Sequence, residues 1–325
     1  MSAQFVSMNG LLTQSELAFY WENGYLVKHE LFSSDEVRQL SEAAEKSVSI
    51  AKEFVATKSL ENKEYSIDGN RFVDIQFHGS TTVQYEHDLA KRDIVRVLEP
   101  VHHFDNIFEK LVDSQRLVGP MEQILGKAEG VSLWTSKLNL KRPQGSPFMF
   151  HQDSPYWEYD CKHNVDHLPN VIVYIDDATV ENGALRIVKG SHKRGILPGR
   201  ADEGFEYPGF FTDTSVFSDR NAVSILANAG SACFFDPHTV HGSMGNATNK
   251  SRRAIILTYQ PRNFPLLKNG RIRNCVRHSP KMYHEACGLP KNCVNSTQNC
   301  DSINSICRCD VNNSATNRSS DVSKL

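Results

Sequence analysis

Nowhere in the 325 residues does an apolar run approach the ~18–20 needed to cross a bilayer, so no membrane span is expected. Neither sign of charge dominates: 36 Lys and Arg stand against 38 Asp and Glu, interspersed, for a formal net charge of -2. A nucleic-acid surface needs a concentration of basic residues, and none is indicated. The opening MSAQFVSMNGLLTQSELAFYW lacks a basic segment followed by a continuous apolar core, so no secretory leader is expected. Cysteine is scarce until late. Six of the eight (Cys275, Cys287, Cys293, Cys300, Cys307, Cys309) fall in the last 51 residues. In a secreted protein that density would mean disulfides; without a leader, reduced thiols or an adventitious metal-binding tail are expected. The final Ser323-Lys324-Leu325 is an address read by the peroxisomal import receptor. Chance supplies it in on the order of one chain in several thousand. A peroxisomal location, otherwise a cytoplasmic one, is the expectation.

Helical signals concentrate in the first 130 residues. Gln14–Glu22 reads as a helix, Gly24–Val27 as a short strand, and Ser33 and Glu36 stand at capping-box spacing before a helix through about Ser47. Residues 48–90 carry no clear period. Asp93–Leu125 reads as helical, with Ile94, Val97, Val101, Phe104, Ile107 and Leu111 near helical spacing and a break at Gly119-Pro120. From Val131 the pattern turns to short strands between Gly, Pro and Asn: Leu133–Leu140, Pro147–Asp153, Val171–Ile175, Leu185–Val188, Ala222–Leu226, Ser231–Phe235 and Arg253–Tyr259. These imply a mainly β fold with flanking helices around a double-stranded β-helix (jelly roll, cupin-like) core. The expected layout is an N-terminal helical segment over 1–130, a catalytic core over 131–270 forming one domain with it, and an irregular Cys/Asn/Ser-rich tail over 271–325.

A His-x-Asp pair on a strand puts both side chains on one face, because strand side chains repeat every two residues. His151-Gln152-Asp153 follows an apolar strand end, Pro147-Phe148-Met149-Phe150, and precedes a polar stretch from Ser154 to Asn170 that suits a lid. His103-Phe104-Asp105 has the same spacing inside a helical pattern, where residues i and i+2 diverge by about 200° and cannot chelate one ion. Phe234-Phe235-Asp236-Pro237-His238-Thr239-Val240-His241-Gly242-Ser243 brings two further histidines. His241 is the expected third ligand, since Gly242 permits close backbone approach and Ser243 can donate to an anion; His238 is expected to be structural. Two histidines and one carboxylate form the facial set typical of non-haem Fe(II), with positions left for other ligands. Eleven residues on, Arg252 and Arg253 open a strand, so one should face inward, where a guanidinium suits a carboxylate.

Three stretches, FHQDSPYW, DDATVENGALRIVKGSHK and HTVHGSMGN followed by SRRA, resemble the phytanoyl-CoA dioxygenase family of Fe(II)/2-oxoglutarate oxygenases over roughly residues 14–260. The resemblance implies that His151, Asp153 and His241 carry Fe(II). It implies that Arg252 and Ser243 hold the far carboxylate of 2-oxoglutarate, with Lys137 where some members use a basic residue. Trp157 matches an aromatic that lines the pocket in some relatives. It also implies hydroxylation of an unactivated C–H bond by dioxygen, with release of succinate and CO2 and with ascorbate in support. Asp153 favours hydroxylation, because related halogenases replace this carboxylate. Many members carry Trp before the DDAT segment; here Ile172 stands there, with Tyr174 nearby. The address and the family together point to a fatty acyl-CoA or branched lipid acid, with Lys189, His192, Lys193, Arg194 and Arg200 as candidate contacts to CoA phosphates. A small polar or secondary metabolite is the alternative substrate class. A zinc hydrolase could use the same ligands but has no need of an anion site, and a non-catalytic jelly-roll binding protein would be expected to lose a ligand.

Overall fold

Two reciprocal caps fix where the chain enters its first helices. The structure, a computed structural model, describes residues 10–57, 61–67, 70–87, 89–126, 130–161, 165–199, 211–262 and 273–275. The Glu16 N–H donates to Thr13 Oγ1 at 3.2 Å, and the Thr13 N–H to the Glu16 carboxylate at 2.8 Å, opening α1 (Gln14–Asn23). Ser33 and Glu36 repeat the arrangement at 3.3 and 2.8 Å for α2 (Ser34–Thr57). This helix runs past the expected end at Ser47 because Val48 and Ala51 continue the buried stripe of Leu40 and Ala44.

The strands are β1 (Tyr25–Lys28), β2 (Lys63–Ile67), β3 (Asn70–Gln76), β4 (Ser80–Tyr85), β5 (Val95–Glu99), β6 (Val131–Lys141), β7 (Phe148–His151), β8 (Asn170–Tyr174), β9 (Leu185–Val188), β10 (Ala222–Ser224), β11 (Ala232–Phe235), β12 (His241–Ser243), β13 (Arg252–Pro261) and β14 (Arg273–Asn274). A large sheet runs β1-β11-β8-β13-β6-β5-β4-β3-β2, and a smaller one β10-β9-β12-β7. The described pairs are antiparallel. This is the double-sheet jelly roll expected, with the unassigned 48–90 region supplying the three-strand extension β2–β4. Strand β14 pairs Arg273 with Leu133, extending the sheet beyond the expected 131–270 core; the remainder of the tail lies outside the described residues.

One expectation is corrected. Asp93–Leu125 is not a helix with a break at Gly119-Pro120. Val95–Glu99 is β5, inside the sheet, and the helices α3 (Asn106–Val112) and α4 (Gln115–Leu125) part at Asp113-Ser114, with Pro120 inside α4. Val95 to Leu98 are buried on both faces of the sheet, which removes the period-two signature and lets its apolar positions imitate a helix. The decoy His103 lies in a 3-10 turn and reaches Thr81 Oγ1 at 3.0 Å, while Asp105 caps α3 through the Ile107 N–H.

The large sheet separates two environments. Helices α2, α3 and α4 cover its back, over Val73, Val83, Leu98, Leu138, Leu140, Ile255 and Leu257. Its front meets the small sheet around Ile172, Tyr174, Ile187, Phe235 and Ala254. Register decides which residue faces which side. Arg252 lies opposite Lys141, Ala254 opposite Asn139 and Tyr174, and Ile256 opposite Lys137 and Ile172, all on the front. A register shift between Thr258 and Tyr259 leaves Trp134 as the extra residue of a β-bulge. Below it, Val131 and Leu133 turn to the back core.

Candidate metal centre

His241 and His151 are direct cross-strand partners on β12 and β7, so the register of the small sheet brings the two imidazoles to a ring separation of 4.3 Å. A Cβ at Gly242 would meet the Phe148 carbonyl at 2.9 Å, which is why the tight β7–β12 approach carries a glycine. Asp153 follows at the start of α5 (Ser154–Cys161). The Asp153 and Ser154 N–H groups both donate to Pro237 O, at 3.0 and 3.1 Å, fastening this corner to the turn that leads into β12.

Ligand atoms of His151, Asp153 and His241 lie within 4.8 Å of one another. The His151 Nδ1–H donates to Met149 O at 2.7 Å, and the His241 Nδ1–H to Thr239 O at 2.9 Å. A carbonyl can only accept, so each Nδ1 carries the hydrogen and each Nε2 keeps its lone pair. Both Nε2 atoms face Asp153, at 3.8 Å from Oδ1 and 3.8 Å from Oδ2. Asn170, fully buried, donates to Asp153 Oδ2 at 2.9 Å and accepts from the Thr258 hydroxyl at 2.6 Å. Burial, with the neighbouring His241, pushes His151 down to about 4, and Asp153 offsets this in part. A neutral imidazole with a free Nε2 is what a divalent cation binds. The donor set fits Fe(II), and among the described residues it is the one cluster of this kind.

Toward the other end of the same front face lies an excess of buried positive charge. Arg252 is 3 % exposed, and its Nε has no partner among the described residues. Lys141, 1 % exposed, donates to Ser243 Oγ at 2.6 Å and to Met244 O. Arg96 donates to Pro147 O at 2.7 Å, stacks on Phe148 at 3.9 Å and stands 3.6 Å from Glu86, the carboxylate that offsets the group. The Tyr174 hydroxyl is buried without a partner among the described residues. Burial, then repulsion from Arg252 and Arg96, brings the Lys141 ammonium down to about 6. A buried guanidinium with no carboxylate partner among the described residues is costly, and an anion here would pair with Arg252 and favour the charged form of Lys141, so the cluster suits an anion. The carboxylate of a keto acid fits it. Gly183, in the left-handed region at φ +77°, leaves room for this lysine: a Cβ there would stand 2.9 Å from Lys141 Nζ and collide with Met244 O.

The two arginines divide as strand parity requires. Arg252 faces in, whereas Arg253 grips Asp176 with two hydrogen bonds of 2.8 and 2.7 Å and reaches Glu45 at 3.0 Å. His238 points away from the three ligands and pairs with Asp166 at 2.7 Å, while its carbonyl accepts from Gln152 Nε2. Lys137 stands apart from Ser243: its Nζ lies 3.7 Å from Glu99 and 5.9 Å from the Trp157 ring. Lys141, four residues on and on the same face, is the lysine that meets Ser243. Sequence reasoning passed over Lys141, Asn170, Arg96 and Glu99. Only Lys141 had a signal, the alternation Lys137-Leu138-Asn139-Leu140-Lys141, which puts both lysines on one face.

Known proteins resemble this chain in sequence and in fold. Residues 20–254 match the family model described as phytanoyl-CoA dioxygenase. The chain is 29% identical over 181 residues to an L-proline trans-4-hydroxylase of Streptomyces griseoviridis, covering 51% of this chain and 67% of that protein. It is 25% identical over 255 residues to a probable alpha-ketoglutarate-dependent hypophosphite dioxygenase of Stutzerimonas stutzeri, covering 77% and 80%. Among solved structures, EctD from S. alaskensis with 2-oxoglutarate and 5-hydroxyectoine superposes with a TM-score of 0.57 at 20% identity, over 82% of each chain, a likeness of fold.

Proposed function

The chain belongs to the phytanoyl-CoA dioxygenase family of Fe(II)/2-oxoglutarate-dependent enzymes, and from that premise we propose that it hydroxylates a C–H bond of a small polar metabolite at the His151, Asp153 and His241 centre. The observation that carries the reading is the pair of Nδ1–carbonyl hydrogen bonds, which leaves both imidazole Nε2 atoms aimed at one carboxylate. When bound, Fe(II) and 2-oxoglutarate supply the oxidative chemistry: substrate, 2-oxoglutarate and O2 give hydroxylated substrate, succinate and CO2. The protein's part is geometric. Asn170 orients Asp153, Met149 O and Thr239 O fix the imidazole tautomers, and Arg252, Ser243, Lys141 and Tyr174 hold the far carboxylate of 2-oxoglutarate. Trp157, 3 % exposed against Trp134, helps to keep water from the ligands.

A fatty acyl-CoA or branched lipid acid is the other substrate reading, and the basic loop speaks against it. Lys193 is engaged with Glu22 at 2.6 Å, His192 with Trp21 O at 2.9 Å and Arg194 with Val216 O at 2.6 Å, so each would have to exchange a present partner for a CoA phosphate. Arg200 lies outside the described residues. The test of the reaction is conversion of 2-oxoglutarate to succinate in the presence of Fe(II) and ascorbate. If His151→Ala left that turnover intact, the assigned centre would be wrong. We also propose a peroxisomal location from Ser323-Lys324-Leu325; a fluorescent fusion that keeps this terminus free and stays outside peroxisomes would refute it.

A further inference from the structure

One stretch of the front face is polar where a lipid-binding wall would be apolar. Lys137 and Glu99 stand there on neighbouring strands β6 and β5, 24 % and 15 % exposed, with their charged atoms 3.7 Å apart. That separation is too long for a hydrogen bond, and Lys137 donates none to any described residue, so its ammonium keeps its donors for a ligand. Glu99 is steadied by the Thr135 hydroxyl at 3.0 Å. Beside them the β-bulge turns the Trp134 indole against Trp157 at 4.4 Å and 78°, forming an aromatic wall four residues beyond the metal carboxylate. The Trp134 Nε1–H is buried without an acceptor among the described residues. A cation, an anion, an unused indole donor and the Trp157 ring, over which the Lys137 ammonium lies at 5.9 Å, thus meet near His151, on which Lys137 acts electrostatically.

We infer that the substrate is a small zwitterion of amino-acid type, its carboxylate taken by Lys137 and its ammonium by Glu99 beside the Trp134 and Trp157 rings. The inference rests on the dioxygenase reading above for the identity of the site, but its charge logic is separate. A ligand with only negative charge meets Lys137 and is repelled by Glu99. A neutral alkyl chain offers neither charge a partner of its own and strips water from both. A molecule carrying both signs a few bonds apart pairs each charge and separates two groups that do not bond each other well. Indole faces favour an ammonium over a neutral amide.

Two of the chain's three tryptophans form the wall, so intrinsic fluorescence reads binding directly. The full chain, with Fe(II) and 2-oxoglutarate and without dioxygen, is titrated with the twenty standard L-amino acids, their N-acetyl and methyl-ester forms, palmitoyl-CoA and palmitate. At least one free amino acid should give a saturable change, with its ester and N-acetyl forms bound ~10–100-fold more weakly, as loss of one charged hydrogen-bond partner implies. Lys137→Met should erase discrimination against the ester while keeping that against the N-acetyl form, and Glu99→Gln should do the reverse. Residues with a merely structural role would weaken every probe alike, and that result overturns the inference. So does tightest binding by palmitoyl-CoA or palmitate, or the absence of binding by any amino acid. Succinate release in air separates the two readings. Basal release with no amino acid bound removes the zwitterion alone, whereas amino-acid binding with no release under any condition removes the dioxygenase reading and leaves the zwitterion site standing.

Discussion

Asp153 has one oxygen held by Asn170, and Asn170 in turn by Thr258, so the orientation of this carboxylate is set two residues away from it. Asn170→Ala should lower Fe(II) affinity by roughly 10–100-fold, as loss of an outer-shell partner does, measured by competition with a metal-binding dye. An unchanged affinity would mean that Asp153 orients itself. Lys141 makes a second case. Its pKa is about 6 in the ligand-free chain against an ordinary 10.5, so near pH 7.5 it is mostly neutral. The carboxylate of 2-oxoglutarate favours the charged form, so binding takes up a proton. Affinity should therefore be greatest at and below pH 6 and weaken as pH rises above it. Calorimetry in two buffers of different ionisation enthalpy reads the uptake directly. Lys141→Met should weaken 2-oxoglutarate binding ~10–100-fold and flatten the pH profile; a profile kept intact in the variant would assign it to another group.

At the scale of elements, the second capping box joins two helices. Glu36 closes the box with Ser33 and also pairs with Arg116 of α4. The Arg116 guanidinium draws its carboxyl down to about 2 from 4.5. A carboxylate depressed on folding contributes stability above the unfolded value and loses it as pH falls through the folded one. Glu36→Gln should cost about 1 kcal/mol at pH 7, allowing for solvent screening of a partly exposed pair, and the deficit should shrink by pH 2 in urea titrations. The capping boxes were legible because their signal is local, three residues wide. Strand β5 was not, since burial on both faces erased its period; nor were β2–β4, whose faces mix polar and apolar side chains. The β-bulge at Trp134 leaves no mark on the sequence that distinguishes it from an unbroken strand.

On the scale of the whole molecule, the three metal ligands bring strands β7 and β12 together with the start of α5, and on the proposed reading 2-oxoglutarate would bridge β6, β12 and β13, so each ligand would tie together segments remote in sequence. Ni(II), a redox-inert stand-in, with 2-oxoglutarate at about 100 times its Kd should add about 2.7 kcal/mol to stability. That is a rise of roughly 5–10 °C in Tm, and His241→Ala should abolish the metal-dependent part. Much of this centre was readable beforehand: His151, Asp153 and His241 from strand parity and family resemblance, whereas parity left Arg252 and Arg253 open and only the resemblance pointed to Arg252. The lysine beside Ser243 was not, because two lysines of one strand face share a parity and only distance tells them apart. Strand β6 carries one more consequence. Its alternation serves the back core at Val131 and Leu133, then reverses at Trp134, so that Leu138 and Leu140 face the core while Lys137, Asn139 and Lys141 face the site. A saturation scan along this strand should therefore read as two interleaved combs, one of lost abundance and one of lost turnover, whose phase flips at a single residue.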